Sequence, residues 1–214
     1  MIENPIVFTE EQLELIEEIK NNADFSSNTW SCDQVTNILK PVIREHYTAV
    51  QNATCPYCQM RLNSTNGRVW DVEHIIPKAT VESFMFEPLN LCVSCVDCNN
   101  AKSNKKITDS TARKRYPRTG YFFVHPHFDN YHDNIHVVRE GLFYFPKTDK
   151  GEKTIYICKL CRFYSFAGYD DNLDDLDDRI VLLANSLTKT KNERTKDYIR
   201  RELRELVIRQ GLVS

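Results

Sequence analysis

Residues 55–102 read CPYCQMRLNSTNGRVWDVEHIIPKATVESFMFEPLNLCVSCVDCNNAK. The stretch opens and closes on C-x-x-C pairs, Cys55/Cys58 and Cys95/Cys98. Each pair puts two thiolates on one tight turn, half of a tetrahedral zinc site, and two such turns complete it. Residues 59–94 between the pairs exceed the roughly 15–20 of a simple zinc ribbon, so a sizeable insert hangs from the staple. With all four positions filled by sulfur, the Zn²⁺ would be structural, with no open position for water. Packing of four reduced thiols in a core is the bland alternative, and paired spacing speaks against it.

The insert carries the chemistry. Asp71-Val-Glu-His-Ile-Ile-Pro77 brings a histidine beside carboxylates, Pro88-Leu-Asn-Leu91 follows, and Asn99-Asn-Ala-Lys102 begins directly after the last cysteine. A carboxylate and an amide that offer oxygen to a hard divalent cation, with a neutral imidazole to take a proton from water, are what single-metal phosphodiester hydrolysis requires. Adjacent strand residues point to opposite faces, so Glu73 and His74 serve one site only at a bulge or strand end.

Outward from this core, Thr9 and Gln12 form a capping box before Leu13, Ile16 and Ile19, which recur at helical spacing. A second helix is predicted from Asp33, with Val35, Ile38, Leu39, Ile43, Tyr47 and Val50 on one side and Pro41 kinking it or moving its start. Ser26–Asn28 connect the two. Asn63–Gly67 predicts a hairpin turn leading into a strand over Arg68–Ile76 that Pro77 ends, and a short helix is expected from Asn99. Phe122–Val124, Ile135–Val138, Leu142–Phe145 and Thr154–Ile157 read as strands of a small antiparallel sheet. From Leu176 one long helix or a helical hairpin closes the chain. The expected class is α+β, organised as a helical region 1–54, a metal-stapled core 55–116 and a mixed strand and helical region 117–214.

At 214 residues with 41% hydrophobic and 27% charged side chains, the composition is that of an ordinary globular protein. No apolar run approaches the roughly 20 residues that span a bilayer, and the first residues are acidic where a signal peptide is basic. These features predict a cytoplasmic protein without a membrane partner, in which eight cysteines are metal ligands or core rather than disulfides. The net charge of −2 excludes nucleic-acid binding through the overall field, so any such contact is local. Lys102, Lys105, Lys106, Arg113, Lys114, Arg115 and Arg118 supply a basic stretch against Asp109 alone. It is either a solvated face or, following the metal-binding helix, a track for phosphates, with Lys102 the nearest to Asn99. Asp170–Asp178 reads as a solvated acidic helix start.

Cys92 admits a shifted pair but, beside Leu91 and Val93, reads as core, as does Cys32. Cys158-Lys-Leu-Cys161 has no second pair to finish a site and also reads as packing. His125, His127, His132 and His136 lie in an aromatic-rich segment, where histidines serve packing and hydrogen bonding more often than metal.

The run CPYC, DVEHIIPK, NL and CVDCNNAK resembles the HNH nuclease motif, a ββα-metal fold in which a hairpin and a helix grip one divalent cation. The likeness covers Cys55 to Lys105. It implies His74 as general base, Glu73 and Asn99 as ligands of a catalytic Mg²⁺ or Mn²⁺, and Asn90 as the middle motif residue that orders the loop. Asp71 is then a further ligand or orients His74. Glu stands at 73 where the family more often has Asp, and Asn at 99 where many members have His; both still offer oxygen. The implied activity is endonucleolytic hydrolysis of DNA; the rival is a zinc module that grips nucleic acid or a partner and cuts nothing. With the FVHPHFDNY segment and the flanking helices, the chain is also similar to HNH subunits of bacterial antiphage systems of the Septu and retron-associated kinds. That resemblance implies an ATPase partner and a C-terminal helix as docking surface.

Overall fold

The computed structural model describes residues 1–62, 64, 69–162 and 173–213. Asn63, residues 65–68 and the first acidic residues, Asp170 and Asp171, lie outside them, so the expected turn over Asn63–Gly67 is not addressed apart from Ser64. The chain is α+β and divides into two compact units, Met1–Asp129 and Asn130–Ser214.

In the first unit, α1 (Glu10–Lys20) starts at Thr9, whose hydroxyl accepts from the Gln12 amide while the Gln12 side chain accepts from the Thr9 amide. Two donors orphaned at the helix start are thereby satisfied. Ile16 and Ile19 are buried, and Leu13 stays half exposed. A 3-10 turn over Ser27–Ser31 buries Trp30. The helix predicted from Asp33 is divided: Val35–Leu39 winds as a wider π-turn, and α2 (Lys40–Val50) begins with Pro41 in its first turn. Proline donates no hydrogen bond and its ring crowds the carbonyl four residues back, so the helix before it is wound differently from the helix after it.

Strand β1 (Trp70–His74) pairs antiparallel with β2 (Leu91–Cys95), Trp70 opposite Cys95 and His74 opposite Leu91. The strand partner is thus supplied by a residue run some twenty positions on, not by a tight local hairpin. Helix α3 (Val96–Lys102) follows β2 without a loop and packs on both strands. It starts inside the second C-x-x-C pair, three residues before the expected Asn99, because the Cys95 sulfur caps it by accepting from the Cys98 amide. On the open side of β2, the Gln51 side chain at the end of α2 donates to the Val93 carbonyl (2.7 Å) and accepts from the Val93 amide (2.9 Å). A side-chain amide thereby stands where another strand would pair, and leaves no unsatisfied edge there.

In the second unit, α4 (Tyr131–Asn134) leads into β3 (Ile135–Arg139), paired antiparallel with β4 (Phe143–Pro146) across a bulge at Val137/Arg139. The sheet is smaller than expected. Phe122–Val124 forms no strand; an isolated bridge joins Thr108 to Tyr121 instead. Thr154–Ile157 lies in helix α5 (Asp149–Ile157). The β-branched run is overruled by its cap, the Thr148 hydroxyl accepting from the Gly151 amide, with Asp149 and Glu152 in the positive first turn. Gly151, which reads as a strand-ending turn, is inside this helix because a Cβ there would lie 2.0 Å from the Asn134 carbonyl oxygen. Helices α6 (Leu173–Lys189) and α7 (Glu193–Val213) pack as the closing helical hairpin. Leu142, Phe143, Phe145, Leu183, Ile199 and Leu206 form the core of this unit.

Candidate metal centre and polar cavity

Cys55, Cys58, Cys95 and Cys98 are all buried, and their sulfurs lie within 4.8 Å of one another. The Cys58 and Cys95 sulfurs are 3.8 Å apart. A tetrahedral zinc with bonds of ~2.3 Å separates its sulfurs by ~3.8 Å, so the spacing fits the ion. The amide of Cys95 donates to the Cys55 sulfur and that of Cys98 to the Cys95 sulfur, which favours thiolates over thiols. Among the described residues this is the one group of three or more His, Cys, Asp or Glu side chains close enough to share a metal. Cys92 is buried outside it, and Cys158 and Cys161 do not join it.

The cysteine cluster fixes the join between β2 and α3, and the residue after Cys98 is Asn99. Its side-chain amide donates to Asp71 Oδ2 at 2.7 Å. One turn along, Lys102 lies over the next residue on that face of β1: its ammonium meets Glu73 Oε1 at 2.5 Å and donates to the His74 carbonyl at 3.0 Å. The helix spacing of three thus matches the strand spacing of two, Asn99 on Asp71 and Lys102 on Glu73.

This changes the expected role of Lys102. It is fully buried and engaged by Glu73, so it is not an accessible phosphate contact. Glu73 also accepts a hydrogen bond from the Tyr57 hydroxyl at 3.3 Å. Burial pushes its carboxyl above the usual range, against the pull of the Lys102 charge and the two hydrogen bonds. Asp71, by contrast, is only half-buried. Of the two carboxylates, it is therefore the accessible one. Of the other predicted cations, Lys105 turns back to the Ala101 carbonyl and Lys106 pairs with Asp109, while Arg113, Lys114 and Arg115 are exposed.

His74 is the last residue of β1, and at that strand end it lines the same cavity as Asp71 and Glu73. Its Nε2 lies 3.0 Å from the Met85 carbonyl oxygen. A carbonyl only accepts, so Nε2 carries the proton and Nδ1 is left as the acceptor. The ring packs edge-on against Trp30, centroids 4.4 Å apart. Burial, and after it the Lys78, Lys102 and Lys40 charges, lowers its pKa to about 3, although the Met85 carbonyl works the other way. At neutral pH the imidazole is therefore uncharged, with Nδ1 unprotonated.

Asn90 is completely buried and holds the connection between β1 and β2 together. Its Oδ1 accepts from the Ile76 amide (2.7 Å) and its Nδ2 donates to the carbonyls of Ile76 and Phe84. The Tyr116 hydroxyl donates to the same Oδ1, and His125 Nε2 lies 2.9 Å from that hydroxyl. Because His125 Nδ1 accepts the His127 amide, its Nε2 carries the proton and donates to Tyr116. His127 Nε2 in turn contacts the Leu91 carbonyl at 2.8 Å. These two histidines brace the loop through hydrogen bonds.

Sequence reasoning missed the other wall of the cavity. Its volume is about 380 Å³, and Trp30, Lys40, Arg44 and Lys78 line it together with Asp71, Glu73, His74 and Asn99. Lys40 lies over the Trp30 ring, 5.1 Å from its centroid. Burial, then the charges of Arg44 and Lys78, lower the pKa of Lys40. The i, i+4 spacing of Lys40 and Arg44 is visible in the sequence, but nothing local says that this face of α2 meets the end of β1.

Over 63 residues, 29% of this chain, the sequence is 35% identical to the Septu protein PtuB of Bacillus thuringiensis; the aligned part is 24% of that protein. The whole relative's properties therefore exceed what the match covers. No family model matches the chain. No solved structure matches it. Among the described residues, no helix is long and apolar enough to cross a membrane.

Proposed function

We propose that this chain is a metal-dependent endonuclease of the HNH type, with β1, β2 and α3 as its ββα-metal unit and antiphage defence of the Septu kind as its setting. The observation that carries the reading is His74, held through Nε2 by the Met85 carbonyl, beside the Asp71–Asn99 pair in one cavity. His127 has the same kind of carbonyl contact and only braces a loop; what supports chemistry at His74 is its place in a polar cavity beside Asp71 and Asn99.

Asp71 and Asn99 fit a hard divalent cation, Mg²⁺ or Mn²⁺, as oxygen donors. Asn99 now turns Nδ2 toward Asp71, and a half-turn of the amide brings its Oδ1 to the same place. When bound, the cation supplies Lewis-acid stabilisation of charge on the scissile phosphate and leaving oxygen. Nδ1 of His74 takes the proton of the attacking water. Glu73 is the weaker ligand candidate while Lys102 neutralises it. Its role is then to anchor α3 against β1, and the zinc staple serves the same register. The exposed Arg113, Lys114 and Arg115 remain candidates for the DNA backbone, and an ATPase partner is the expected companion chain.

The test is cleavage of plasmid and oligonucleotide DNA with added Mg²⁺ or Mn²⁺. His74→Ala is expected to cut the rate by roughly 10²–10⁴ while zinc content and folding are retained. A His74→Ala protein that cuts at the wild-type rate disposes of the base assignment. A wild-type chain that binds DNA but never cuts it with either metal favours the binding module.

A further inference from the structure

We propose that Lys40, Arg44 and Lys78 form a phosphate seat in this cavity, holding a backbone phosphate of a nucleic-acid strand against Trp30 and opposite Asp71. The seat rests on the nuclease reading for its substrate class, but it stands on separate observations. Two of its three cations, Lys40 and Arg44, come from α2, outside the motif-bearing residues, and the third, Lys78, closes the DVEHIIPK run. None of the three makes an ion pair with a carboxylate among the described residues, and the only carboxylates lining the cavity beside them are Asp71 and Glu73.

The charge balance of the cavity is one-sided. Glu73 is neutralised by the buried Lys102 ammonium, and Asp71 accepts the Asn99 amide, so one accessible carboxylate faces three half-buried cations. Lys40 and Arg44 repel each other at i, i+4, an arrangement that weakens a helix unless something anionic offsets it. Arg44 Nε is buried and has no hydrogen-bond partner. A buried guanidinium N–H without an acceptor is costly, but this nitrogen is closed to solvent, so any contact with an anion falls to the parts of Arg44 that line the cavity. The cavity does not suit an apolar ligand, since its walls are polar side chains apart from Trp30, Val72 and Pro77. Trp30 holds Lys40 over its ring, and offers a flat apolar surface beside the anion.

The experiment uses the full zinc-loaded chain in a His74→Ala background, so that nothing is cut. Binding of a fluorescein-labelled oligonucleotide is followed by anisotropy across a salt series. Lys40→Gln/Lys78→Gln is expected to raise Kd about 10-fold or more, and to lower the slope of log Kd against log salt by about one to two. Lys40→Arg, which keeps the charge, is expected to stay near the parent, and Lys78→Gln alone gives a smaller step in the same direction should the double variant not fold. In parallel, inorganic phosphate is titrated into the wild-type chain with Trp emission as readout.

If the double variant matches the parent in both Kd and salt slope, the seat is overturned and the nuclease reading, scored by wild-type cleavage, is untouched. A wild-type chain that cuts no nucleic acid, yet shows a phosphate-dependent Trp shift that the double variant lacks, keeps the seat and ends the nuclease reading. Absence of both effects ends both.

Discussion

Replacing Lys102 with methionine separates a buried structural lysine from a phosphate-binding one. The ammonium is fully buried, 2.5 Å from Glu73 Oε1, and also donates to the His74 carbonyl. Methionine keeps most of the length of the side chain and removes the charge, leaving the buried Glu73 carboxylate with the Tyr57 hydroxyl. Stranding one member of a buried ion pair costs about 3–5 kcal/mol, a large share of the roughly 5–15 kcal/mol that holds a domain together. In the double variant Glu73→Gln/Lys102→Met no charge is buried, and the main loss is the hydrogen bond to the His74 carbonyl, about 1–2 kcal/mol. The double variant is therefore expected to be more stable than the single one by about 2–3 kcal/mol. Urea unfolding followed by Trp fluorescence suits the measurement, because both tryptophans, Trp30 and Trp70, lie in the first unit. A Lys102→Met cost below about 1 kcal/mol, the scale of a surface pair, would refute the reasoning, as would a double variant no more stable than the single.

Two further perturbations follow from the same geometry. Cys98→Ala is expected to abolish the bound zinc, about one ion per chain by native mass spectrometry, and to lower Tm by at least about 10 °C, while Cys158→Ala keeps the ion; zinc retained in Cys98→Ala excludes the four-sulfur assignment. Burial lowers the pKa of His127, so between about pH 6.5 and its folded value the unfolded chain binds the extra proton and stability falls as pH falls, by up to about 1.4 kcal/mol per unit. His127→Gln is expected to show a smaller loss between pH 7.5 and 5.5 in denaturant midpoints taken on zinc-loaded protein, and an unchanged loss would show that this ring does not report on folding.

What could be read from the sequence was what local chemistry determines. The Thr9–Gln12 box is a contact across three residues, and its geometry follows from the residue types. The four cysteines are legible because a metal imposes spacing, and the placement of Glu73 and His74 at a strand end follows from the alternation of side chains and the approaching Pro77. The failures are tertiary. Thr154–Ile157 has strand composition, but Thr148 caps a helix there, and Gly151 is required by the nearby Asn134 carbonyl. Lys102 is a cation in a basic run by sequence. Its burial depends on α3 lying over β1 in the one register that puts it on Glu73. Lys40 and Arg44 are distant from the motif in the chain, and only the packing of α2 on the hairpin makes them neighbours of His74 and Lys78.

The buried ion pair also bears on how the proposed phosphate seat would attract an anion in a chain of net charge −2. Each carboxylate beside a cation cluster reduces its field, and Glu73 stands on the strand that lines the cavity. Lys102 cancels it from the opposite side at a distance of 2.5 Å, so Asp71 is left to face the three cations. The cancellation depends on the register of α3, and that register is set at Cys95, which ends β2, caps α3 and joins the sulfur cluster. The same turn positions Asn99 against Asp71. Loss of the staple would thus free Glu73 and separate the oxygen pair together, changing the sign of the cavity as well as its shape. A zinc on these four sulfurs, with no open position of its own, would in this way control the electrostatics of a cavity it never touches.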